Sequence, residues 1–180
     1  LGVVCALVAF GFTRLVGHAA RRFKQIPSPW RQPAGGLGAG CVVAALPSVA
    51  GNGFEPLAEI LDYKLTLAMV GFLLVAKMVS TASSVAAGNP GGVFTPSMLI
   101  GGCTGYLCNI GLDAMGFAVS PAGGYVLVGM AAVVAATTHA PLMAAVFAFE
   151  VSGDYAIVLP LVLATAIAAG LARRMDPDSV

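Results

Sequence analysis

The feature of this sequence that most limits its fold is the length of its charge-free stretches. Aspartate, glutamate, lysine and arginine are all absent from residues 32–54, 78–112, 114–149 and 155–172. A helix needs roughly 20 mostly apolar residues to cross a hydrocarbon core of about 30 Å. Several of these stretches are long enough for one crossing, and the two longest have room for a crossing plus a shorter broken segment. The sequence therefore predicts an all-α integral membrane protein.

The overall composition supports the same prediction. Hydrophobic residues make up 58% of the chain, charged residues make up 9%, and the mean hydropathy is +0.92. Soluble domains carry about 25% charged residues, so the alternative of a soluble protein with a very large core is disfavoured. The net charge of +1 gives no basic face for nucleic acid. The lipid bilayer is the expected partner, and nucleic acid is not.

The basic residues fall into two groups. One is spread over residues 14–31, and the other is the pair Arg173 and Arg174. The positive-inside rule places both groups on the cytoplasmic side. The chain begins at Leu1 inside an apolar run without a basic leader, which does not resemble a signal peptide. We expect a piece of a larger, multi-pass protein of the cell membrane.

Glycine and proline divide the apolar stretches into helices of uneven length. Residues 21–33 are predicted to form a polar connector, because their three prolines oppose a long helix. The small residues of 34–50 are expected to pack among neighbouring helices and not to face lipid, and Pro141 is predicted to split residues 125–149 into two helices. The other predicted helices are residues 1–20, a short interfacial helix over 54–62, a span over 65–80, a helix from Val93 or Phe94 to about Gly111, and a last span over 156–174.

Breaks of this kind suggest a transport protein. Broken helices at membrane depth are tolerated only where they are buried in protein or line a cavity. Secondary transporters use such breaks to build their binding sites from helix ends. The glycine- and proline-rich breaks are therefore the candidate binding sites.

The break at residues 91–96, with the sequence Gly-Gly-Val-Phe-Thr-Pro, is the strongest candidate for a binding site. The first N–H groups of a helix have no partner inside it and lie at the positive end of its dipole, so they bind an anion without a cationic side chain. Gly91 and Gly92 leave the backbone accessible, Pro96 suits the first turn, and Phe94 supplies an apolar wall. Amide donors also suit transport, which needs binding weak enough for release. On spacing alone, an ordinary loop between two spans explains the same residues.

The segment Gly92-Val93-Phe94-Thr95-Pro96 resembles the Gly-x-Phe-x-Pro motif of the CLC family of chloride channels and chloride/proton antiporters. Further short matches to that family follow in the family's order along most of the chain. They lie at residues 51–54, 83–92, 129–136, 139–142, 149–155 and 159–174.

The resemblance implies a specific site and a specific assembly. Backbone amides of Val93 and Phe94 are expected to face a bound chloride, with Gly92 giving access, so these three residues are the expected anion site; Gly91, Thr95 and Pro96 support the motif. Chloride is the expected substrate, and no cofactor is implied. The family forms dimers, and the segments expected to make the subunit contact here are residues 1–16, 141–151 and 156–171. The implied location is a bacterial-type inner membrane.

Several elements of the family have no match in this chain. These are its Gly-Ser-Gly-x-Pro stretch, its Gly-x-Glu-Gly-Pro stretch with the gating glutamate, and the glutamate that carries protons in the antiporters. Residues 1–180 therefore resemble the second of two inverted repeats without its last helix, and they supply part of an ion site. The choice between channel and antiporter stays open.

The sequence leaves two other functions open. A broken-helix carrier for an organic anion and a membrane scaffold without transport remain alternatives. An enzyme is disfavoured, because the chain has neither a His-Glu-x-x-His nor a Gly-x-Ser-x-Gly motif. Lys77 is a functional candidate as a charge within an apolar run, but a structural role is favoured, and snorkelling from a helix end is a further alternative. Glu150 is expected to be a loop acid at the water boundary, with a gating or proton-carrying role as the less favoured alternative. The four cysteines are expected to be small buried residues.

Overall fold

The structure is a computed structural model that describes residues 1–62, 64–117, 119 and 121–175. Eight α-helices account for most of this part of the chain, in which no residue belongs to a strand. A 3₁₀ turn, Pro47–Val49, precedes the third helix, and another, Tyr155–Ile157, precedes the eighth. The helices are α1 (Gly2–Phe23), α2 (Ser28–Ala45), α3 (Phe54–Leu61), α4 (Leu67–Ala86), α5 (Phe94–Ala114), α6 (Ala122–Thr138), α7 (Pro141–Ser152) and α8 (Val158–Met175).

Three segments are long and apolar enough to cross a membrane, namely α1, α4 and Tyr155–Met175, which contains α8. The prediction of an all-α membrane fold with broken helices is confirmed. α6 and α7 are shorter, and the break between them lies directly before Pro141, as predicted. Pro141 opens α7, where its missing N–H removes no helical hydrogen bond, and His139 adopts the left-handed conformation with φ 55°.

The centre of the molecule is the antiparallel pair α5 and α6, whose contact is the most extensive between any two helices. Glycine allows their backbones to meet. A Cβ atom on Gly101 would lie 2.7 Å from the Cα of Met130, and one on Gly129 would lie 2.9 Å from the Cα of Gly105. Because real Cβ atoms do not approach that closely, the crossing requires glycine at these positions.

The outer faces of α1, α4, α7 and α8 carry exposed apolar side chains. Water-soluble monomers rarely expose this much apolar surface. In a membrane, lipid or another protein surface covers such side chains. The exposed residues include Val3 and Leu7 on α1, Phe72 and Val75 on α4, Leu142 and Val146 on α7, and Leu159, Leu163 and Ile167 on α8.

The prediction of a proline-rich connector over residues 21–33 is wrong. α1 continues to Phe23, and α2 already begins at Ser28. Pro29 lies in the first turn of α2, where proline is tolerated, and Pro33 removes only one internal hydrogen bond. Arg31 stabilises the short connection, because its Nε donates to the Phe23 carbonyl at the end of α1 at 3.0 Å.

Within this chain, residues 34–50 pack against a neighbouring helix on one face only. Gly35 is the buried residue of α2, and a Cβ there would lie 2.7 Å from the Ser83 carbonyl oxygen on α4. The other faces of α2 are exposed or half-buried, since one close contact with α4 covers only one side of a helix. For the same reason Cys41 on α2 is exposed, and not buried as expected; Cys5 and Cys103 are buried and Cys108 is half-buried.

Candidate functional site

The candidate site is the beginning of α5. The helix starts at Phe94, within the predicted range, and no side chain caps it. Its first internal hydrogen bond runs from the Ser97 N–H to the Val93 carbonyl at 2.9 Å. The N–H groups of Val93, Phe94 and Thr95 precede that bond, and Pro96 has none, so this end of the helix presents its free donors outward.

The approach to these donors is open. Gly91 and Gly92 are exposed. A Cβ built on Gly91 meets nothing within 4 Å, and one on Gly92 meets only the backbone nitrogen of Phe94, at 4.0 Å. Among the described residues, no side chain therefore lies over Gly91 and Gly92.

The electrostatics of this helix end come from the backbone. Residues 78–112 contain no Asp, Glu, Lys or Arg, so no charged side chain of this stretch competes with the dipole of α5. The aligned peptides of a helix act as roughly half a positive charge at its N-terminus. Such an end attracts an anion without forming a fixed ion pair.

The apolar wall expected of Phe94 has a partner that the sequence did not indicate. The Phe94 ring is half-buried and meets the Phe147 ring of α7 edge to face, with centroids 5.6 Å apart and an interplanar angle of 84°. Aromatic pairs favour this geometry. The contact fixes one side of the helix end against α7.

A second contact also fixes the first turn of α5. The hydroxyl groups of Ser97 and Thr137 lie 3.2 Å apart and share a hydrogen bond, and both residues are fully buried. Thr137 also bonds the carbonyls of Val133 and Val134 in its own helix. The end of α6 is thereby joined to the start of α5, in a contact between residues 40 positions apart that no local sequence signal reveals.

The other residues singled out in the sequence lie elsewhere. Lys77 is the eleventh residue of the 20-residue α4, so the expectation of a lysine snorkelling from a helix end is wrong; its structural role is described below. Glu150 is exposed but belongs to the last turn of α7 and not to a loop, because that helix continues to Ser152 and ends at the left-handed Gly153.

Comparison with known proteins gives a consistent result. The family model described as "Voltage gated chloride channel" matches residues 1–173. A putative chloride channel protein ClcB-like of Ralstonia nicotianae is 37% identical over 168 residues, covering 91% of this chain and 39% of the relative. The voltage-gated ClC-type chloride channel ClcB of Citrobacter koseri is 33% identical over 166 residues, covering 88% of this chain and 38% of the relative.

A third relative covers nearly the whole chain. The voltage-gated ClC-type chloride channel ClcB of Escherichia coli is 32% identical over 186 aligned positions, which cover 99% of this chain and 44% of that protein. The chain thus spans about two fifths of the length of the curated relatives it matches. Because the family model extends over nearly all of the described helices, the chain belongs to the voltage-gated chloride channel family, CLC.

Proposed function

We propose that this chain is part of a protein that moves chloride across the cell membrane, and that the amides at Gly92, Val93 and Phe94 bind the anion in transit. The observation that carries the proposal is the open start of α5. Its donors precede the first internal hydrogen bond, and two exposed glycines leave them accessible. Binding by amides is reversible enough for conduction.

The proposed site is one wall of a larger one. The chain spans about two fifths of its relatives, and we infer that residues 1–180 form part of the second of two inverted repeats. The remaining walls belong to residues outside this chain. Whether chloride moves alone or in exchange for protons is then decided by measuring proton movement with the full-length protein in liposomes.

We further propose a homodimer whose contact involves residues 1–16, 141–151 and 156–171. Exposed apolar side chains support this, since each of the three segments carries several. A membrane location follows from the same surfaces, with the bacterial inner membrane as the proposed one.

A matched pair of glycine substitutions in the full-length protein tests the anion site. Gly92→Leu adds a side chain beside the free amides, whereas Gly111→Leu adds the same side chain near the other end of α5, where a Cβ meets nothing within 4 Å. We expect Gly92→Leu to abolish most chloride flux in liposomes and Gly111→Leu to retain it. Equal flux in the two variants would contradict the site.

Bromide soaking of crystals of the full-length protein provides an independent measurement. An anomalous peak beside the amides of Val93 and Phe94 is expected. Transport of organic acids without chloride would instead support a carrier for organic anions. Absence of any flux by the intact protein would support a scaffold.

A further inference from the structure

Lys77 is a buried cation in the middle of a membrane-spanning helix. It is 4% exposed. Its Nζ donates to the Val49 carbonyl at 2.9 Å and to the Gly51 carbonyl at 2.8 Å. Both acceptors belong to the segment between α2 and α3, more than 25 residues away in sequence.

The partners of Lys77 are unusual for a buried lysine, because they are carbonyls and not carboxylates. In the part of the chain that the structure describes, the one ion pair is Lys64–Asp62, at the surface. A charged side chain inside a membrane protein is costly and is kept where it has a function. Here it satisfies carbonyls that the 3₁₀ turn Pro47–Val49 and the left-handed Gly51 leave without helical partners.

The segment that Lys77 holds leads directly into the contact between α3 and α5. Gly53, in the left-handed conformation with φ 84°, precedes α3, and a Cβ on it would lie 3.0 Å from the Leu99 side chain of α5. One turn later, Leu57 fills the space above Gly102, where a Cβ would overlap its Cδ1 atom. α3 is therefore packed closely against the first half of α5.

We propose that Lys77 is a positioning residue for anion binding: by fixing residues 49–51 on α4, it holds α3 against α5 and so sets the position of the helix end at Phe94. This inference rests on the proposed function of that helix end. Leu99 lies five residues after Phe94, so a shift of α3 acts on the same rigid helix that carries the free amides. Lys77 itself does not contact the anion.

The test compares three variants of the full-length protein by equilibrium chloride binding and by thermal unfolding. Lys77→Met keeps the length of the side chain and removes both hydrogen bonds. Lys77→Arg keeps donors for the two carbonyls. Lys64→Met is the matched control, because Lys64 is exposed and its ion pair with Asp62 lies at the surface.

We expect Lys77→Met to lower the affinity of the folded protein for chloride about tenfold, the order that a helix terminus supplies in a partly buried site. Lys77→Arg should recover most of the affinity, and Lys64→Met should leave it unchanged. A role in stability alone would lower the unfolding temperature of Lys77→Met without changing the affinity of the folded fraction, and that result would overturn the proposal.

A second variant keeps the proposal testable where Lys77→Met does not fold. Leu57→Ala loosens the contact between α3 and α5 without touching the lysine, and a similar fall in affinity is expected; unchanged affinity would contradict the proposed route. If the wild-type protein binds no chloride, the proposed function fails and the inference fails with it. If the wild-type protein binds chloride and neither Lys77→Met nor Leu57→Ala weakens binding, the inference alone fails.

Discussion

At the scale of single residues, the side-chain hydrogen bond between Ser97 and Thr137 joins the first turn of α5 to α6. Both hydroxyls are fully buried. Thr137→Val keeps the shape of the side chain but leaves the Ser97 hydroxyl without this partner, and a buried unsatisfied polar group costs about 1–3 kcal/mol. We expect the free energy of unfolding, measured by denaturation in detergent, to fall by that amount.

Thr165 provides the matched control for this prediction. It is equally buried, but its hydroxyl bonds only to carbonyls of its own helix, Leu161 at 2.9 Å and Val162 at 3.1 Å. Thr165→Val should therefore destabilise the protein less than Thr137→Val. The double substitution Ser97→Ala with Thr137→Val removes both polar partners and should recover part of the loss; a double variant less stable than Thr137→Val would contradict the argument.

His139 carries the second prediction at this scale. It is the non-glycine residue with positive φ in the described part of the chain, at 55°. Its carbonyl accepts from Arg173 Nη2 at 2.6 Å, and any residue at position 139 keeps that carbonyl. His139→Gly should raise the unfolding free energy by about 1 kcal/mol, because a left-handed L-residue carries a strain of about that size.

The same substitution inside a regular helix should have the opposite sign. His18 lies within α1, where glycine costs roughly 0.5–1 kcal/mol relative to alanine because of its conformational freedom. His18→Gly is therefore expected to lower the unfolding temperature, whereas His139→Gly should raise it. A fall for both variants would show that the His139 side chain contributes more than its backbone strain removes.

At the scale of helices, the close backbone contact between α5 and α6 makes the free energy of unfolding sensitive to an added Cβ atom. Gly129→Ala places a Cβ against the Gly101 carbonyl and 2.9 Å from the Gly105 Cα. Because backbone atoms cannot move aside as a side chain does, the helices must separate, at a cost of about 1–3 kcal/mol or more. Gly124→Ala, in the same helix but with nothing within 4 Å of its Cβ, should stabilise by up to about 1 kcal/mol. Thermal unfolding of both variants checks the difference in sign.

The helix ends show what a single sequence can predict. The start of α5 and the break before Pro141 follow from glycine and proline, whose backbone effects are local and therefore visible in the sequence. The start of α2 lies earlier than expected, since Pro29 is tolerated in the first turn and Pro33 removes only one internal hydrogen bond. The site residues Phe147 and Thr137 are not predictable in this way, because each meets α5 only through the tertiary packing of separate helices.

At the scale of the whole molecule, the exposed apolar side chains of the outer faces need an apolar partner. Lipid and a second subunit both cover apolar surface, so hydropathy cannot distinguish them. The two partners differ in how they respond to a larger side chain. Lipid chains rearrange around it, whereas a closely packed protein surface does not. If α8 forms the proposed dimer contact, a larger side chain on its exposed face should weaken the dimer. A larger side chain on the exposed face of α2 should not.

Two leucines of equal exposure test this prediction. Leu159 on α8 and Leu37 on α2 are each 70% exposed in this chain, but only Leu159 lies within the proposed contact. Leu159→Trp in the full-length protein should shift the assembly from dimer to monomer in light scattering, whereas Leu37→Trp should remain dimeric. A dimer that tolerates Leu159→Trp would place the subunit contact away from this face of α8, and it would leave lipid as the solvent of that face.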